Sequence, residues 1–105
     1  YVYGPDGALV HTHAKTHVFP PEFDWNTVEG DEMQVVDLGV VRAGINNCYE
    51  NEIPECSAAL VEQGCELIIG PSFTFSEHGF WRVRHCAAAR WSDTVIVRSD
   101  ETASR

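Results

Sequence analysis

A chain of 105 residues is enough for one domain, and 16 acidic against seven basic residues give it a formal net charge of -9. Such a balance disfavours a phosphate backbone or an anionic bilayer surface as partner, since both call for clustered Lys and Arg. No apolar run approaches the roughly 18 to 20 residues that span a membrane. Lys15 is the sole lysine, beside six arginines. That fits either a salt-adapted source, whose carboxylate-rich surface stays soluble in brine, or simply an acidic bacterial protein. No basic-then-apolar leader is visible, and a cytoplasmic protein is expected. Cys48, Cys56, Cys65 and Cys86 form no CxxC pair, so free thiols are expected in place of disulfides or structural zinc. The chain opens on Tyr1-Val2-Tyr3, a strand-like run with no initiating Met, and is expected to be cut at its N-terminus.

Tyr1–Tyr3 and Ala8–Thr12 flank Gly4-Pro5-Asp6-Gly7, a turn signal, and predict a hairpin. Lys15–Phe19 runs into Pro20-Pro21, expected to end regular structure, and Glu22–Glu32 reads as a polar surface loop. Gln34–Leu38 and Val40–Ile45 predict two strands turning at Gly39. The second is nearly all apolar and should lie inside a sheet. Pro54-Glu55 marks a helix start, with proline in the first turn beside an acid, and Gly64 marks its stop. Glu66–Gly70 reads as a buried strand closed by Pro71, with a loop over Ser72–His78. Phe80, Val83 and Ala87 share one face of a helix predicted over Phe80–Arg90. Thr94–Arg98 is the last predicted strand, before a frayed acidic tail. Two hairpins followed by β-α-β-α-β imply an α/β or layered α+β fold, a mixed sheet covered by helices.

In such sheets reactive groups collect at the carboxyl ends of strands, and Cys48 stands at such an end. A turn there exposes the sulfur much as a nucleophile elbow exposes a serine, and backbone N–H groups near a helix start favour thiolate over thiol. Position alone reads Cys48 more readily as a small buried hydrophobe than as a nucleophile. Cys56, Cys65 and Cys86 read as core-facing thiols. His11, His13 and His17 alternate along an extended segment. A solvated strand face accounts for them better than a transition-metal site. Glu77-His78 reads equally as a pocket rim or as surface.

Three segments, in order, resemble the nitrilase superfamily of carbon–nitrogen hydrolases. Ala14-Lys15-Thr16-His17-Val18-Phe19 is similar to its lysine motif, and Pro21-Glu22 to the acidic position that follows. Asn47-Cys48-Tyr49-Glu50-Asn51-Glu52-Ile53-Pro54-Glu55 is similar to its nucleophile motif, a Cys-Tyr-acid stretch closing on Pro-Glu. Ala58-Ala59-Leu60, Gln63–Leu67, Gly70-Pro71-Ser72 and Phe80–Arg90 resemble the helices and strands beyond it. The resemblance implies an α-β-β-α sandwich and a homo-oligomer, with no metal or cofactor. It implies Cys48 as nucleophile towards a small amide, carbamoyl or nitrile carbon, through a thioester or thioimidate that water then releases. Lys15 and the backbone N–H of Tyr49 would hold the oxyanion, Glu22 would orient substrate and lysine, and His17 would be structural.

The chain departs from the pattern in four places. The general-base glutamate precedes the lysine motif in the family, and only Asp6 precedes Lys15 here. Glu52 replaces a frequent arginine. Trp91-Ser92-Asp93-Thr94 stands where Ala-x-Glu-Asn is common. Family chains are longer at both ends, so residues 1–105 are expected to be a partial hydrolase domain, inactive alone. A catalytically incomplete piece serving binding or assembly, and a histidine-based metal binder, remain the competing readings.

Overall fold

The turn residues place both hairpins correctly. In the computed structural model, which describes residues 1–74, 89–90 and 94–102, β1 (Val2–Tyr3) pairs antiparallel with β2 (Leu9–His11). Strand β3 (Val35–Asp37) pairs antiparallel with β4 (Arg42–Ile45). The second hairpin opens a four-stranded sheet in the order β3-β4-β5-β6, to which β5 (Leu67–Thr74) and β6 (Val95–Thr102) add in parallel. This is the expected mixed sheet, with β4 inside it. Parallel neighbours need a crossover connection, and α1 (Pro54–Glu62) supplies it between β4 and β5. Of the helix expected over Phe80–Arg90, only Ala89 and Arg90 are described, and they are helical.

Helix α1 covers the sheet through Leu60, which with Ile68 of β5 has no exposed surface. Met33, Cys56 and Cys65 complete that core, and Val35, Ile53, Ala59 and Ile96 pack around it. Burying a side chain such as Leu60 stabilises the fold by about 1.5–3 kcal/mol. The close approach depends on Gly44 of β4, where an added Cβ would stand 2.6 Å from Leu60 Cδ2. Past the helix end, Gly64 takes φ 79°, a left-handed conformation that costs glycine little, and its N–H bonds Val61 O at 2.8 Å.

Three expectations are corrected. Pro20-Pro21 does not end structure but begins a 3-10 helix, Pro20–Trp25, because a residue without N–H loses nothing in a first turn. The loop expected from Glu22 therefore starts in a helical turn. Pro71 does not close β5. Pairing with β4 stops at Ile45–Ile69, so from there β5 is an edge on that side, where proline is tolerated, while pairing with β6 continues to Thr74–Thr102. The acidic tail is correspondingly strand as far as Thr102, because β5 offers it a ladder. No helix among the described residues is long and apolar enough to cross a membrane.

Candidate active site

Past β4, Asn46 N–H still donates to Ile69 O at 3.0 Å, and the chain then turns through a short 3-10 segment, Cys48–Glu52. Cys48 opens it with φ 52°, a left-handed conformation that costs a non-glycine residue about 1–3 kcal/mol and persists only where its surroundings impose it. The Asn51 side chain imposes it in part, donating to Asn46 O at 2.8 Å and to Cys48 O at 3.0 Å. Gly70 leaves room for that side chain, since a Cβ there would lie 3.0 Å from Asn51 Oδ1. One expectation changes. Helix α1 begins only at Pro54, and a helix dipole fades within a turn, so the strained bend, not the helix start, sets the cysteine apart.

Cys48 is half-buried and lines a cleft of about 450 Å³. Asn47, Pro71 and Ser72 share its wall, and Phe19, Pro21, Glu22 and Trp25 form the other. Lys15 is not among the residues lining the cleft, but donates from Nζ to Glu22 Oε2 at 2.6 Å, while the Phe19 N–H reaches the same oxygen at 2.8 Å. Burial alone would raise the Glu22 carboxyl, but these two donors hold it below the usual carboxylate range. The pair is therefore an ion pair at neutral pH, with the ammonium fixed in direction. The Tyr49 ring meets Phe19 edge-on, centroids 5.4 Å apart. Cys48 and Glu22 thus share one cleft, and Lys15 joins them through Glu22.

Glu50 is the residue whose importance the sequence did not disclose. Its side chain has no exposed surface, yet both oxygens are occupied. Oε1 accepts from Thr16 N at 2.6 Å and Thr16 Oγ1 at 2.8 Å. Oε2 accepts from Asn47 N at 2.7 Å and His13 Nε2 at 2.8 Å. Burial raises this carboxyl, and the bonds from His13, Asn47 and Thr16 more than reverse that, leaving it below the ordinary value. The only signal in the sequence was its place two residues after Cys48 in the nucleophile motif. Of the cleft wall, Phe19 and Ser72 carried only their places in the lysine motif and in Gly70-Pro71-Ser72, and Trp25 carried no signal at all.

The histidines do not form the expected solvated face, since of the three only His17 is exposed. Beyond His11 the strand ends, so their alternation no longer fixes their direction. The His13 side chain is 4% exposed against Glu50, and His17 Nδ1 lies 3.0 Å from Thr16 Oγ1 and 3.4 Å from Cys56 Sγ. The buried Nε2 of His11 has no hydrogen-bond partner. Among the described residues no group of three His, Cys, Asp or Glu is arranged to hold a metal ion. Cys56 and Cys65 are buried thiols, and burial raises both above the ordinary thiol value. Glu77, His78 and Cys86 lie outside the described residues, as do Trp91, Ser92 and Asp93.

Comparison with known proteins gives these features a family. Residues 1–99 match the carbon-nitrogen hydrolase family model. A probable hydrolase, YhcX of Bacillus subtilis, is 32% identical over 97 residues, 91% of this chain and 19% of its own length. Omega-amidase NIT2 of Bos taurus is 31% identical over 78 residues, 67% of this chain and 28% of its own. In structure, a carbon-nitrogen hydrolase of Helicobacter pylori G27 superposes with a TM-score of 0.85 at 16% identity, covering 97% of this chain and 39% of its own. The fold is therefore the layered α/β fold expected from the motifs, and the chain spans well under half the length of each of these proteins. The match over residues 1–99 shows the family: this chain belongs to the carbon-nitrogen hydrolase family.

Proposed function

We propose that residues 1–105 form the nucleophile-bearing part of a longer enzyme that hydrolyses non-peptide C–N bonds in small amides, with Cys48 as nucleophile. The observation that carries the reading is the cleft, which sets a half-buried cysteine in a strained turn opposite a carboxylate bonded to a lysine. Sγ attacks the carbonyl carbon, and the C=O electron pair moves to oxygen. The Lys15 ammonium and the Tyr49 N–H stabilise that oxyanion, and such fixed donors act strongly where water is excluded. The C–N bond then breaks, the nitrogen leaves with the proton taken from the thiol, and a thioester remains. Water adds to the thioester, the C–S bond breaks, and the acid departs with the thiol restored. Glu22 holds the lysine in direction and orients substrate.

The proton carrier is the one member of this set that the resemblance places upstream of Lys15, in a part of the protein beyond these residues. Among the described residues lining the cleft, Glu22 is the sole carboxylate, and it is already engaged by Lys15. That observation favours a second reading, a catalytically incomplete piece with a binding or assembly role. An acidic motif encoded upstream rejects the second reading, and its absence rejects the first.

The direct test is to incubate the full-length protein with a small aliphatic amide, quench in acid and map the peptides by mass spectrometry. An acyl adduct on Cys48, lost in Cys48→Ala together with turnover, is the expected result. Turnover that survives complete alkylation of Cys48 by iodoacetamide would overturn the assignment.

A further inference from the structure

Glu50 ties together the two segments on which the proposed chemistry depends. One oxygen accepts the backbone N–H of Thr16, the residue after Lys15. The other accepts the backbone N–H of Asn47, the residue before Cys48. A hydroxyl or an imidazole can reverse its role in a hydrogen bond, but a backbone N–H only donates. A group that satisfies both amides from opposite oxygens must therefore accept on both, which among side chains of this shape a carboxyl does, most strongly when ionised. A glutamine would satisfy one amide and turn N–H against N–H at the other. The Thr16 hydroxyl and His13 Nε2 fill the remaining lone pairs, so a fully buried carboxylate is left with no unmet acceptor.

We propose that Glu50, with His13 as its buried donor, is a positioning residue of the active site: a single carboxylate fixes the backbone beside the nucleophile to the backbone beside the lysine. It touches no substrate. It acts through the φ 52° bend at Cys48 and through the direction in which Lys15 leaves its segment. A strained conformation of that kind relaxes unless its neighbours hold it, and Glu50 restrains it from the N-terminal side, as Asn51 does from the C-terminal side. The interaction spans 34 positions of sequence between Thr16 and Glu50, so the sheet and turn must fold before the lysine and the cysteine come into register. His13 belongs to the device because the Glu50 oxygen it meets is the one that holds Asn47, and because its ring walls a second cleft with Tyr1, Val2, Tyr3, Ile45 and Asn47. This inference rests on Cys48 as nucleophile.

The test compares Glu50→Gln, His13→Leu and His13→Gln in the full-length protein, with Leu60→Ala as a variant that weakens packing away from the cleft. The readouts are the rate of Cys48 alkylation by iodoacetamide, resolved by peptide mapping, and the separate values of kcat and KM for an amide. Glu50→Gln and His13→Leu should slow alkylation and lower kcat at least about tenfold with KM little changed. His13→Gln, whose side-chain N–H2 can still donate, should recover most of the rate, and Leu60→Ala should alkylate Cys48 as the unmodified protein does while its Tm falls. If Glu50→Gln does not fold, the two His13 variants decide. Folded Glu50→Gln or His13→Leu protein with unchanged Cys48 reactivity and kcat overturns the proposal, as does an equal loss in Leu60→Ala. A wild-type protein that turns over with Cys48 fully alkylated fails at the nucleophile instead, a result these variants would not mimic.

Discussion

The two walls of the Cys48 cleft are held in opposite ways. The cysteine wall is tied from beneath by Glu50 and Asn51, through bonds to Asn47, Asn46 and Cys48 itself. The facing wall is the 3-10 helix Pro20–Trp25, which contributes no buried residue, with Phe23 half exposed and Trp25 74% exposed. Its internal restraint is the Lys15–Glu22 pair and the Phe19 N–H. Local stability follows buried contact and satisfied polar groups. The cysteine wall is thus the more firmly held, as the proposed reacting constellation requires, and the facing wall, proposed to meet a substrate's apolar part, has fewer buried restraints.

The sharpest way to break this contrast is to exchange the two carboxylates for amides. Glu50→Gln leaves a buried backbone N–H facing a donor and should cost about 3–5 kcal/mol of stability, whereas Glu22→Gln, at the exposed wall, should cost under about 1 kcal/mol. Equal losses in denaturant unfolding would erase the distinction. Next in size is Lys15→Gln, expected to lower kcat by about 10²–10³-fold, the order seen when one oxyanion donor is removed, with Tm nearly unchanged. A loss confined to KM would demote the lysine to a binding role.

Gly44→Ala probes the frame beneath the rigid wall. The new methyl would overlap Leu60, and overpacking of that kind costs about 1–3 kcal/mol, visible as a lower denaturation midpoint. Acid titration separates the carboxylates again. Each Glu binds its proton more weakly folded than at its ordinary value of 4.5, so each stabilises fully above that pH, and the contribution is lost as the pH falls through the lowered folded value. Wild-type protein should therefore lose Tm on acidification below 4.5 more steeply than Glu50→Gln, with Glu22→Gln close to wild type. The smallest effect belongs to the adaptable wall. Trp25→Ala should leave stability within about 0.5 kcal/mol and raise KM for an amide with an apolar acyl group about fivefold, the equivalent of roughly 1 kcal/mol of lost contact. Unchanged KM would remove Trp25 from the substrate wall.

Much of this was legible in the chain. Gly4–Gly7 and Gly39 placed the hairpins, and Pro54 and Gly64 bounded α1, because turn and cap preferences are local properties of residues. The order of the lysine, acid and cysteine motifs carried the family and singled out Cys48 as the candidate nucleophile, which its position after an apolar strand did not do alone. Strand ends were misread where a partner decided them. Pro71 and the tail to Thr102 stay in the ladder because β5 and β6 lie side by side, a fact no window of neighbouring residues contains.

What the sequence determined by itself was periodicity, turns and a motif in register, all fixed by interactions between residues near one another in the chain. What only the tertiary structure decided was which polar groups meet in the interior. In sequence His13 belonged to a solvated strand face and Glu50 was only a motif position, until folding brings Thr16, 34 positions away, against the turn that carries Cys48. The reason is energetic: a charge leaves water only where donors already converge on it, and that convergence is a property of the folded chain.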